Sequence, residues 1–129
     1  MPTRGEVTQF LGEFNAAITL DLQRWVPRSV DRHQQLLDIG MTENLALKTI
    51  QNLGPDNYSR GPSPDDTNTN RFVWIFGVEI EGVEVYIKLA LWPHKRKNVT
   101  EGWIWSFHRA QHAMQYPLRE ESNEEKDEG

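Results

Sequence analysis

The chain of 129 residues contains no cysteine. That excludes disulfides, thiolate nucleophiles and cysteine-ligated zinc together, and it suits a reducing compartment. Long apolar runs are missing too. No stretch approaches the roughly 20 residues of a membrane span, and no basic-then-apolar leader reads as a signal peptide. The expectation is a soluble, cytoplasmic protein with no membrane contact. An excess of positive charge is also absent, the formal net charge being -5. That deficit is local: residues 120–129 hold six acids and one base, and the residues before them hold 13 bases and 13 acids. The acidic total is therefore no argument against a nucleic-acid substrate, because the part expected to fold is balanced. One α+β domain is expected over residues 1–118, followed by an acidic tail, 119–129, too poor in apolar residues to fold.

What is present centres on residues 83–91. Read with period 2, Val83, Val85, Ile87, Leu89 and Leu91 fall on one side, and Glu84, Tyr86, Lys88 and Ala90 on the other. A strand apolar on one side, with Tyr and Lys on the other, predicts a half-covered antiparallel sheet. Before it, Phe72–Ile80 alternates in the same way, and Glu81-Gly82 reads as a two-residue hairpin turn. After it, a basic connection (His94, Lys95, Arg96, Lys97) leads to a third strand. Its alternation predicts Trp103, Trp105 and Phe107 inward, with Ile104, Ser106 and His108 outward. Residues 109–118 read as a short irregular or helical closing segment.

Upstream, Val7, Phe10, Leu11, Phe14, Ala17 and Ile18 recur at helical spacing over the first 20 residues. Leu22–Val26 is an edge strand or a connector. A short helix capped by Ser29 ends at Gly40. A second, capped by Thr42, carries Leu45, Ala46, Thr49, Ile50 and Leu53 inward and stops at Gly54-Pro55. Such a pair resembles a helical hairpin, and a DNA-reading helix-turn-helix stays open as an alternative. Arg24, Arg28 and Arg32 are solvated arginines or a phosphate contact. Residues 57–70, rich in Pro, Gly, Asp and Asn, predict a long loop whose only groups able to stack on a base or hold a phosphate are Tyr58 and Arg60.

On this phase Tyr86, Lys88, Ser106 and His108 share the open side, near Arg60 and the basic turn. RNA cleavage without a metal needs such a set: a base for the ribose 2′-hydroxyl, cations for the phosphorane, and an acid for the departing 5′-oxygen. Histidine ordinarily titrates near pH 6.5, about right for either proton role. The candidate catalytic groups are His108, Lys88, Tyr86 and Arg60. Tyr58, Lys95, Arg96, Lys97, Arg109 and His112 are candidate RNA contacts. A His108/His112 metal pair would lack a carboxylate companion, so no metal or cofactor is expected. The plainer alternatives are an ordinary sheet surface with a structural histidine, or a module that binds protein or RNA without cutting it.

Four segments carry a family resemblance: LLDIGMT (36–42), DNYSRGPSPD (56–65), VWIFGVEIEGVEVYIKL (73–89) and SFHRAQHAMQYP (106–117). Together they resemble the MqsR family of type II toxins, in the RelE/ParE-like superfamily. The resemblance implies an α+β fold in which N-terminal helices pack on one side of a small antiparallel sheet of three or more strands. It implies a ribosome-independent, metal-independent endoribonuclease acting on mRNA. It also implies an antitoxin protein encoded by an adjacent gene, through which alone the chain would meet DNA. By position, Tyr86 and Lys88 match the family's VY-x-K strand, and Arg60 the basic group after the loop tyrosine, displaced by one. His108 stands where some members have lysine, and Ile75 where some have a polar residue.

Overall fold

The computed structural model describes residues 1–27, 32–65, 71–94 and 98–119. The first helix, α1 (Arg4–Thr19), begins at a capping box in which Thr3 and Glu6 satisfy each other's backbone N–H groups. Its spacing buries Val7, Phe10, Leu11, Phe14 and Ala17, the stripe expected from the sequence. Two shorter helices follow, α2 (Arg32–Asp38) and α3 (Glu43–Gln51). Thr42 caps α3 by accepting from the Leu45 N–H at 3.1 Å. Leu36, Ala46, Ile50 and Leu53 are buried, whereas Leu45, expected inward, is exposed. The Ser29 cap lies outside the described residues. No helix among the described residues is long and apolar enough to cross a membrane.

Five strands form one sheet in the order β1-β5-β4-β3-β2: β1 (Gln23–Trp25), β2 (Tyr58–Pro64), β3 (Phe72–Ile80), β4 (Val83–His94) and β5 (Val99–Arg109). The fold is α+β with the helices on one side, as expected, but the sheet is mixed. Edge strand β1 runs parallel to β5, and the other pairs are antiparallel. The β3–β4 hairpin turns at Glu81 and Gly82, with φ of 49° and 81°, the positive pair that a tight two-residue turn demands. The core joins α1 and α3 to the covered face through Phe76, Val85, Ile87, Leu89, Ile104 and Phe107. Gly102 is part of this fit, because a Cβ there would stand 3.0 Å from the Phe14 ring.

Two further expectations are corrected. Residues 58–64 are a strand rather than loop. Their proline and glycine sit on an edge strand with two register shifts, where a missing N–H is tolerated. Gly61, at φ 105°, leaves no room for a side chain beside the Val73 carbonyl, its Cβ position lying 2.6 Å from that oxygen. The phase of β5 also differs. Lys88 pairs with Ser106 but Leu89 with Ile104, so Trp105 is the extra residue of a bulge. Phe107, Ser106 and His108 keep their expected sides. Ile104 turns inward, fully buried, while Trp103 and Trp105 join the open face.

The open face is not bare. Residues 110–118 cross it as an irregular segment, pinned first where the Ala110 N–H meets the Glu84 carbonyl at 2.8 Å. The Met114 N–H and the Tyr116 hydroxyl then donate to the two oxygens of the Glu84 carboxylate, at 3.3 and 2.7 Å. Arg4 donates to the Leu118 carbonyl, and Arg119 to that of Asp56. Beneath the segment lies Gly77, where a Cβ would collide with the Tyr116 hydroxyl and reach 2.7 Å from Met114 Sδ.

Candidate functional site

Pairing across the sheet sets the geometry. Arg60 on β2 stands opposite Ile75 on β3, Ile75 opposite Lys88 on β4, and Lys88 opposite Ser106 on β5. One row therefore crosses four strands, with neighbours about 5 Å apart. The next row runs Gly77, Tyr86, His108. The closing segment walls these rows on one side and makes an open cleft of about 590 Å³. Into it come Arg60, Tyr86, Lys88, Ser106, His108 and His112, over a floor that includes the buried Ile75.

The side chains are held, not merely gathered. The rings of Tyr86 and His108 stack with centroids 5.2 Å apart and planes 12° apart. His108 Nδ1 lies 2.9 Å from the Arg109 carbonyl oxygen. A carbonyl can only accept, so Nδ1 carries the hydrogen and, in the neutral ring, Nε2 presents its lone pair. Lys88 Nζ sits 5.6 Å from the Trp105 ring centroid, a cation held over an indole face. Among the described residues lining the cleft there is no carboxylate. Glu84, the nearest acid on β4, is occupied by Met114 and Tyr116. Burial, then the hydrogen bond to Glu84, pushes the Tyr116 phenol well above its ordinary pKa of 10.0. An anion entering the cleft would meet Lys88, Arg60 and the imidazoles of His108 and His112.

Other candidates lie elsewhere. Tyr58 is 2% exposed, packed edge-on against Trp74 and Phe76 with its hydroxyl donating to the Gly61 carbonyl. Burial raises its pKa, and its ring is not available to a base. Arg109 faces the helices, because its partner Val85 lies on the covered side. Its Nε reaches Asp38 Oδ2 of α2 at 3.2 Å. Of the arginine trio, Arg24 faces Glu101 at 3.8 Å and Arg32 pairs with Glu43 at 2.9 Å. Arg28, Lys95, Arg96 and Lys97 lie outside the described residues.

Sequence reasoning missed Gln111 and Gln115, which line the cleft from the closing segment. The signal was faint: a stretch rich in amides and imidazoles, too poor in apolar residues to pack alone. No group of three or more His, Asp or Glu side chains among the described residues is placed to hold a metal ion. The chain matches no family model, no curated protein and no solved structure.

Proposed function

We propose that the chain is an endoribonuclease of the toxin type, cutting mRNA in the cleft between the sheet and the closing segment. The observation that carries this reading is the lining itself: Arg60, Lys88, Tyr86, Ser106 and His108 around one space, with no acid among the described residues that line it. Such a lining suits a phosphodiester. It does not suit hydrolysis by paired carboxylates. The four segments that resemble the MqsR family point the same way.

In the proposed reaction the ribose 2′-oxygen attacks the adjacent phosphorus. The bond to O2′ forms as the bond to O5′ breaks, leaving a 2′,3′-cyclic phosphate and a 5′-hydroxyl. His108 Nε2 either takes the proton of the 2′-hydroxyl or gives one to O5′, and solvent water makes the complementary transfer. Lys88 and Arg60 carry the charge that builds on the phosphorane oxygens. Tyr86 holds the imidazole by stacking and positions the substrate. On this reading the chain works in the cytoplasm and arrests growth, and a cognate antitoxin encoded next door neutralises it and supplies any contact with DNA.

The test is purified chain incubated with single-stranded RNA in EDTA. Wild type is expected to release cyclic-phosphate ends, and folded Lys88→Ala and His108→Ala variants to release them at least about a hundredfold more slowly. RNA left intact by wild type would place the chain among non-catalytic binding modules. Equal cutting by folded variants would remove the assigned roles.

A further inference from the structure

The cleft continues along the open face as a row of indoles. Trp105, the bulged residue, lies under Lys88. Trp103 comes next, opposite Ala90, and Trp92 follows, opposite Glu101. The Trp92 and Trp103 centroids are 5.1 Å apart. At the far end the Arg71 guanidinium lies over the face of Trp92, 3.1 Å from the ring centroid, so a base arriving there would stack on the guanidinium or displace it. At about 3.3 Å per residue, the row extends roughly 13 Å along β4 beyond Lys88.

All three indoles are half-buried on the face that the helices leave open, so none is spent on the core. At least one is also aimed. The Trp103 N–H donates to Glu101 Oε1 at 3.0 Å, while Arg24 Nη2 stands 3.8 Å from Glu101 Oε2 and offsets its charge. An aromatic surface oriented in advance loses little freedom when a flat ligand stacks on it. Aromatic faces along a strand, with a cation at each end, suit unpaired nucleobases on a phosphate backbone. A neutral or basic peptide would bury the indoles equally well but would bring no counter-charge to Lys88 and Arg71.

We propose that Trp105, Trp103 and Trp92 form a stacking track for single-stranded RNA, taking the nucleotides that flank the linkage held at Lys88 and His108. This rests on the reading that the cleft accepts RNA. The track separates substrates by strandedness and length. A paired duplex cannot offer its base faces, and a dinucleotide does not reach Trp92.

The test is binding of a short labelled single-stranded 2′-O-methyl RNA, which lacks the attacking hydroxyl and is not cut. Trp103→Leu and Trp92→Leu are each expected to weaken binding about tenfold. Trp103→Phe, which keeps an aromatic face in the same place, should retain most of the affinity. Melting temperatures of all variants guard against misfolding. Binding by the Leu variants equal to wild type overturns the track, and so does failure of wild type to bind. If the Leu variants bind as wild type while natural RNA is cut, the track falls and the nuclease stands. If they weaken binding while natural RNA stays whole, the track stands and the nuclease falls.

Discussion

Tyr86 and His108 occupy the same register of β4 and β5, and their rings lie 12° from parallel with centroids 5.2 Å apart. The pairing constrains the imidazole from its face while the Arg109 carbonyl constrains it from Nδ1. Little freedom is left to the one ring nitrogen that would meet a substrate. This makes the aromatic face of Tyr86 separable from its hydroxyl. Tyr86→Phe should preserve the stack and retain most of the cleavage rate, whereas Tyr86→Ala should lower it by on the order of tenfold or more by freeing the ring. Single-turnover rates on one RNA decide it. A Phe variant as slow as the Ala variant would move the role to the phenol.

Lys88 stands in the row from Arg60 to Ser106 and makes no ion pair among the described residues. Lys88→Ala is expected to cost about 2–4 kcal/mol of transition-state stabilisation while changing the melting temperature little. A fall in KM-type binding alone, with turnover intact, would show that the ammonium only holds the ground state.

The bulge offers a test of the fold. Removing Trp105 turns the run from Ile104 to His108 into strict alternation, with Ile and Phe in, Ser and His out. The deletion should therefore fold with the Lys88–Ser106 pairing kept, and cost no more than about 1–3 kcal/mol. Cross-strand amide contacts by NMR report the register. If His108 no longer pairs with Tyr86 after the deletion, the bulge is needed to hold the site's phase.

Tyr116 ties stability to alkaline pH. Its folded pKa is raised, so its contribution is fully present below about pH 10 and is lost as the pH climbs above that value. Tyr58, also raised by burial, adds a loss of the same sign. Denaturant midpoints should hold steady up to about pH 10, where an unfolded tyrosine ionises, and fall as the pH rises above it. Tyr116→Phe should flatten that fall, while costing about 0.5–1.5 kcal/mol at neutral pH through the lost bond to Glu84. A curve as steep as wild type in the Phe variant would take this role from Tyr116.

Gly77→Ala should loosen the segment over the cleft. The backbone at Gly77 is not in the left-handed region, so the penalty is the collision with Tyr116 and Met114, about 1–3 kcal/mol. Faster exchange of the Met114 amide, with core amides unchanged, is the expected signature. Uniform acceleration would mean that the whole sheet gave way.

Much of this was legible without coordinates. The stripe of α1, the Thr42 cap, the Glu81-Gly82 turn and the two sides of β4 are short-range patterns, in which each residue's environment depends on neighbours a few positions away. From these the sequence by itself determined an α+β chain with Tyr86 and Lys88 on an open sheet face. Tertiary structure decided the rest. Whether Tyr58 entered the core depended on β2 pairing with β3 through an irregular edge that its prolines and glycine had disguised. Whether Trp103 and Trp105 faced the core or the solvent depended on one extra residue against β4, which shifts phase without altering composition. And the cleft exists because residues 110–118 fold back onto Glu84 and Gly77, a long-range closure with no periodicity to announce it.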